Sequence, residues 1–155
     1  MGHQPTLQVD PNDSSKFRAQ VNVVMKSGLS GTALQVAAGH EGVHVADAQD
    51  FAATATMSGR YDLFKNLTNW QTEINAYRVS ASIQAASGGA ASFGKGCGSG
   101  CIFGPGLSQE QVRNTTMILL ANPANGYNRF VSSGNTFVNH LGLRQFTGIT
   151  TPSPQ

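Results

Sequence analysis

The sequence is short of charge. Only 18 of its 155 residues are Asp, Glu, Lys or Arg, about half the share found in an ordinary globular domain. The formal net charge is +2, with no basic stripe or acidic tail. The electrostatic footprint of a nucleic-acid binder is therefore missing. Long hydrophobic runs are missing too. The longest aliphatic stretch is Met117 to Ala121, far below the ~20 apolar residues that span a bilayer. Cys97 and Cys101 are the only cysteines, too few for a disulfide scaffold. Met1 to Thr6 hold neither a basic n-region nor an apolar core, so they do not read as a signal peptide.

In place of charge there are 48 Ser, Thr, Asn and Gln residues and 18 Gly. Amides and hydroxyls solvate such a surface, so an ionisable residue in an apolar stretch is a stronger clue than usual. The length suits one domain with a real core. Residues 1–15 are polar, carry Pro5 and Pro11, and read as a flexible tail or linker. Residues 16–149 form the domain proper. Phe17, Ala19, Val21, Val23 and Met25 alternate with Arg18, Gln20 and Asn22 as in a strand, while Phe17, Val21, Val24 and Met25 also fit helical spacing; the β-branched content favours the strand. An Ala- and Gln-rich stretch over 33–56 predicts a helix with Thr32 as its cap, followed by a connection over 58–68. A second helix is expected from about Leu67 to Ala86, with Thr68 a candidate cap and Ser87-Gly88-Gly89 its stop. A Gly-rich loop follows over 88–106. Ser108 and Gln111 have the spacing of a capping box for a third helix that Asn122-Pro123 ends. A short helical segment is expected within 127–147 and a frayed tail over 150–155.

One segment carries chemistry. His40-Glu41-Gly42-Val43-His44 is an H-E-x-x-H motif on a predicted helix. Positions i and i+4 share a helical face, so the two imidazoles can converge on one ion. Neutral imidazole is a good zinc ligand. Glu41 is rotated off the ligand axis, which is the general-base position of a metallohydrolase. A catalytic zinc wants three protein ligands and an open site. Glu73 is the best third ligand. The 28 residues between His44 and Glu73 let the chain turn and return an antiparallel helix over the histidines. Asp50 is the rival, six residues after His44. On a continuing helix, however, it is rotated ~240° from that ligand and points away. Asp47 lies on the metal face one turn beyond His44 and suits acceptance of a histidine N–H. Tyr77 is placed to pack beside Glu73, and the resemblance of this motif to zincins, whose sites hold a Tyr or His donor to the oxyanion, implies Tyr127 and His140 as candidates for that role. Cys97 and Cys101 read equally as a small disulfide or as two free thiols.

His40-Glu41-x-x-His44, with a later Glu73-x-x-Ala76-Tyr77, resembles the gluzincin branch of zinc metallopeptidases. More narrowly, it is similar to small zincin domains carried as toxic tails by bacterial polymorphic toxins and secretion-system effectors. The resemblance covers residues 17–86. It implies an α+β, zincin-like fold, mostly helical, with a small sheet or edge strand before the motif helix. It implies Zn²⁺ bound by His40, His44 and Glu73, a protein or peptide substrate, and secretion or delivery into a target cell. An immunity protein or secretion-apparatus partner goes with that role, and neither nucleic acid nor a membrane span does. A zinc-stabilised binding domain without catalysis, and a zinc amidase acting on cell-wall peptides, are the other readings.

Overall fold

The computed structural model describes residues 2–94, 101–125, 136–140 and 153–154. It is an α+β arrangement in which two long helices carry the site and small sheets flank them. Strand β1 (Gly2–Asp10) and strand β2 (Asp13–Val24) form an antiparallel hairpin, with Leu7 opposite Ala19 and Val9 opposite Phe17. Asp10 and Asp13 shape its turn by accepting from the backbone N–H of Asn12 and Ser15. The described part of the stretch read as a tail thus forms a strand, a turn and the start of a second strand. Leu7, Phe17 and Ala19 turn inward and are buried. Pro5 is tolerated because of its register. The Gln49 side-chain amide takes both backbone groups of Ala19, so these point away from β1. Pro5, opposite Val21, falls in the same class of pair, and its position needs no ladder N–H.

Helix α1 (Gly31–Thr54) has 24 residues and is about 36 Å long. Ser30, not Thr32, is its N-cap, and no side-chain hydrogen bond caps it. Its buried stripe is Val36, Ala37, His40, Glu41, His44, Ala48, Phe51 and Ala52, the spacing of one helical face. The expected connection after it holds a two-residue strand, β3 (Arg60–Tyr61), and a 3₁₀ turn over Leu63–Lys65. Helix α2 (Asn69–Ala86) starts at a true capping box. Thr68 Oγ1 accepts from Gln71 N, and Gln71 Oε1 accepts from Thr68 N. Gly88 closes the helix with φ at 78°, a conformation that favours glycine.

Within the Gly-rich stretch, strand β4 (Ala91–Ser92) pairs antiparallel with β5 (Ile102–Phe103). Helix α3 (Gln109–Ala121) has the Ser108–Gln111 capping box read from the sequence. Helix α4 (Phe137–His140) is a single turn. Ser153–Pro154 (β6) lies parallel to β3, so the segment expected to fray contributes a short bridge. Among the described residues no helix is long and apolar enough to cross a membrane.

Two apolar clusters form the core. The first joins the hairpin to the C-terminal half of α1 through Leu7, Phe17, Ala48, Phe51, Tyr61 and Phe137. The second joins α2 to β5 and α3 through Tyr77, Cys101, Phe103, Leu119 and Leu120. Helices α1 and α2 run antiparallel between them, as His40 meets Ser80 while His44 meets Thr72. Gly39 permits the close approach, since a Cβ there would run into Ile83 and press on Val79.

The hairpin makes a prediction that separates it from a tail. Leu7 is only 3% exposed, so Leu7→Ala should cost ~2–5 kcal/mol in chemical denaturation. A tail residue would cost nothing measurable.

Candidate metal centre

The buried face of α1 carries three ionisable residues where apolar ones would be expected. His40 is 7% exposed, Glu41 4% and His44 2%; Glu73, on α2, is 7% exposed. Ligand atoms of His40, His44 and Glu73 converge. His40 Nε2 lies 3.2 Å from His44 Nε2. Glu73 Oε2 is 3.2 Å from His40 Nε2, and Glu73 Oε1 is 3.4 Å from His44 Nε2. The antiparallel return of α2 thus brings the expected carboxylate to the two histidines.

The residues fit a metal ion on two grounds. Donor atoms held ~2.0–2.1 Å from a tetrahedral ion lie about 3.3–3.4 Å apart, close to the 3.2 Å between the two Nε2 atoms, and each of those atoms has one Glu73 oxygen at a similar distance. The second ground is an orphaned acceptor. Glu73 Oε2 is buried and makes no hydrogen bond, a costly state that a cation would relieve. Burial pushes the Glu73 carboxyl up, yet the His40 and His44 rings beside it outweigh that and hold it at about 2. Glu73 is therefore an anion at neutral pH, as a ligand must be.

The other side of each imidazole is also held. His44 Nδ1 lies 3.0 Å from Thr72 Oγ1, and that hydroxyl donates to Asp47 Oδ2 at 2.7 Å. Asn75 Nδ2 donates to the same Asp47 oxygen at 3.2 Å. His40 Nδ1 lies 3.2 Å from Ser80 Oγ, which donates to Ala76 O. Tyr77 meets the His40 ring edge-on, centroids 4.5 Å apart, and stacks on Phe103 behind it.

Several expectations need correcting here. Asp47 does face the site, but Thr72 stands between it and the histidine. Tyr77, one turn from Glu73 on α2, packs on the His40 ring. Asp50, the rival ligand, is 61% exposed at its side chain and pairs with Lys65 at 3.3 Å, which removes it from the site. Tyr127 lies outside the described residues. His140 closes α4, and its side chain lies outside them too. Cys101 is disulfide-bonded, while Cys97 lies outside the described residues. Thr72 and Ser80 were missed. The sequence shows them only as hydroxyl residues on the same helix as Glu73, and their meaning appears once the facing histidines are placed.

No protein-family model, curated protein or solved structure matches this chain.

The centre makes a stability prediction. An ion that binds only the folded state stabilises it by about 2.7 kcal/mol at a hundredfold excess over its dissociation constant. Titrating zinc into chelator-treated protein should raise the melting temperature, and a chelator should reverse the rise. Glu73→Ala should abolish the shift, whereas Asp50→Ala should leave it intact.

Proposed function

We propose that the chain is a zinc-dependent peptidase of the gluzincin type. His40, His44 and Glu73 hold the ion, and Glu41 is the general base. The observation that carries this reading is the buried ligand triangle with a buried glutamate directly after the first histidine. Two histidines and a carboxylate also suit non-haem iron. Glu41 favours hydrolysis instead, since it adds a buried proton carrier directly after His40 in the chain.

When bound, the ion supplies Lewis acidity, lowering the pKa of water and polarising a carbonyl oxygen. Glu41 accepts the proton of the attacking water and passes it to the leaving nitrogen. One amide bond breaks, one water is consumed, and the Glu41 carboxylate is restored. Glu73 contributes negative charge to the ligand set, and the histidines contribute neutral lone pairs. The sequence offers Tyr127 and His140 as donors to the oxyanion.

A protein or peptide is the substrate class. The role in keeping with the motif resemblance is a toxic effector domain, secreted or delivered into a target cell, with an immunity protein or secretion apparatus as partner. The disulfide at Cys101 supports an oxidising stage in its life.

One observation favours a second reading. All four ionisable residues are less than a tenth exposed, as in sites where a metal only holds a fold together. Such a site would be closed by protein ligands.

Glu41→Gln separates the two. On the peptidase reading the variant keeps its zinc by elemental analysis, while peptide cleavage falls about 10²–10⁴-fold. Proteome-wide cleavage mapping against wild type is the measurement. Full activity in the variant would rule out Glu41 as general base. A wild type that binds zinc but cleaves no peptide would favour the structural reading. Turnover confined to cell-wall peptides would move the substrate class to those amides.

A further inference from the structure

We infer that Asp47 and Thr72 act as positioning residues that fix the tautomer of His44 before any metal arrives, so that His44 is the preorganised ligand of the pair. The inference rests on the metal-binding part of the reading above and not on peptidase activity.

A threonine hydroxyl has one hydrogen to give and lone pairs to accept with. At 2.7 Å from a carboxylate oxygen that can only accept, Thr72 Oγ1 spends its hydrogen on Asp47. Asn75 Nδ2, itself a donor, engages the same oxygen and so keeps Asp47 facing the relay. The Thr72 oxygen can then only accept from His44 Nδ1, 3.0 Å away. In a neutral His44 this relay draws the proton to Nδ1, against the competing pull of the Glu73 carboxylate on Nε2, 3.4 Å away. Its Nε2 lone pair is left facing His40 Nε2 and Glu73, where the other ligand atoms meet.

His40 is held differently. Ser80 Oγ lies 3.2 Å from His40 Nδ1 and donates to the neutral Ala76 carbonyl, also at 3.2 Å. That hydrogen bond is longer and has no charge behind it, so it is the weaker of the two. The Ser80 hydroxyl can turn to donate to His40, and the His40 proton can move to Nε2. The two histidines of one motif are thus unequal: one is locked by an anion through a hydroxyl, and the other is switchable. Direct carboxylate–histidine contacts are the common means of orienting a metal ligand. Here the hydroxyl in between comes from the residue preceding Glu73, so one turn of α2 supplies both a ligand and the orientation of its neighbour.

The test uses full-length, metal-free protein and long-range ¹H–¹⁵N imidazole spectra at mildly alkaline pH. These spectra distinguish Nδ1–H from Nε2–H. The expected result is Nδ1–H for His44 in the wild type and in Thr72→Ser. Thr72→Val should lose that preference, since the hydroxyl is gone. Zinc affinity, measured separately by competition with a chelator, should fall about 10–100-fold in Thr72→Val and recover in Thr72→Ser. Wild-type His44 in the Nε2–H form overturns the inference. So does an unchanged affinity in Thr72→Val, or a loss in Thr72→Ser as large as in Thr72→Val, which would assign the effect to general packing of the seam rather than to the hydroxyl. Should Thr72→Val fail to fold, the wild-type spectrum alone still decides. None of these readings depends on turnover, so a protein that binds zinc through a locked His44 yet cleaves nothing would overturn the peptidase and leave the relay standing.

Discussion

Glu73 lies 3.2 Å from His40 and 3.4 Å from His44 in a seam where all three are less than a tenth exposed. Taking an ionised carboxylate out of water costs several kcal/mol unless opposite charge and hydrogen bonds compensate. In the metal-free protein the rings must supply that compensation, which is why the Glu73 carboxyl sits at about 2 against a strong pull from burial. An ion would supply it more completely, because it satisfies both imidazoles and the carboxylate at one point. The remaining architecture of the seam follows from keeping this group dry and oriented. Every buried charged or histidine side chain among the described residues belongs to it, and the buried hydroxyls of Thr72 and Ser80 serve it as well.

The two helices have the composition such a seam demands. Their facing stripes mix His40, Glu41, His44, Thr72, Glu73 and Ser80 with Ala37, Ala48, Ala76 and Ala81. Large apolar residues would fill the space that the imidazoles occupy. Small ones let the backbones approach, and Gly39 marks the tightest point, against Val79 and Ile83. Bulk for the core is moved to the outer ends of the pair. Phe51 stacks with Phe137 near the hairpin, and Phe103 stacks behind Tyr77 on the far side. The helices are therefore only weakly amphipathic, and their stability must come from these flanking clusters more than from the seam itself.

What could be read from the sequence follows from how local each signal was. The Thr68 and Ser108 boxes are complete within four residues, and both helices begin where those boxes place them. The motif needed only helical spacing, and the arrival of Glu73 needed only one antiparallel return. Strand β1 was illegible for the opposite reason. Its alternation exposes one deeply buried apolar residue, Leu7, among polar neighbours and a proline. Its partner is another strand whose register the sequence does not state. Thr72 and Ser80 were illegible because a helical hydroxyl is unremarkable until the side chain across from it is known. Asp50 shows the converse: the helix geometry already turned it away, and Lys65 gave it a surface partner.

The site also lies where the two halves of the core meet. The first cluster holds the hairpin to α1, and the second holds α2 to β5 and α3. His40 touches the second directly through Tyr77, while His44 lies one turn from Ala48 in the first. An ion bound by two residues of α1 and one of α2 would fasten these halves together. Chemistry and stability then draw on the same seam. A substitution there that lowers activity has two possible causes, lost reactivity or a loosened helix pair. Metal content and melting temperature measured on the same sample separate them, because a positioning defect lowers the first while leaving the metal-free melting temperature where it was.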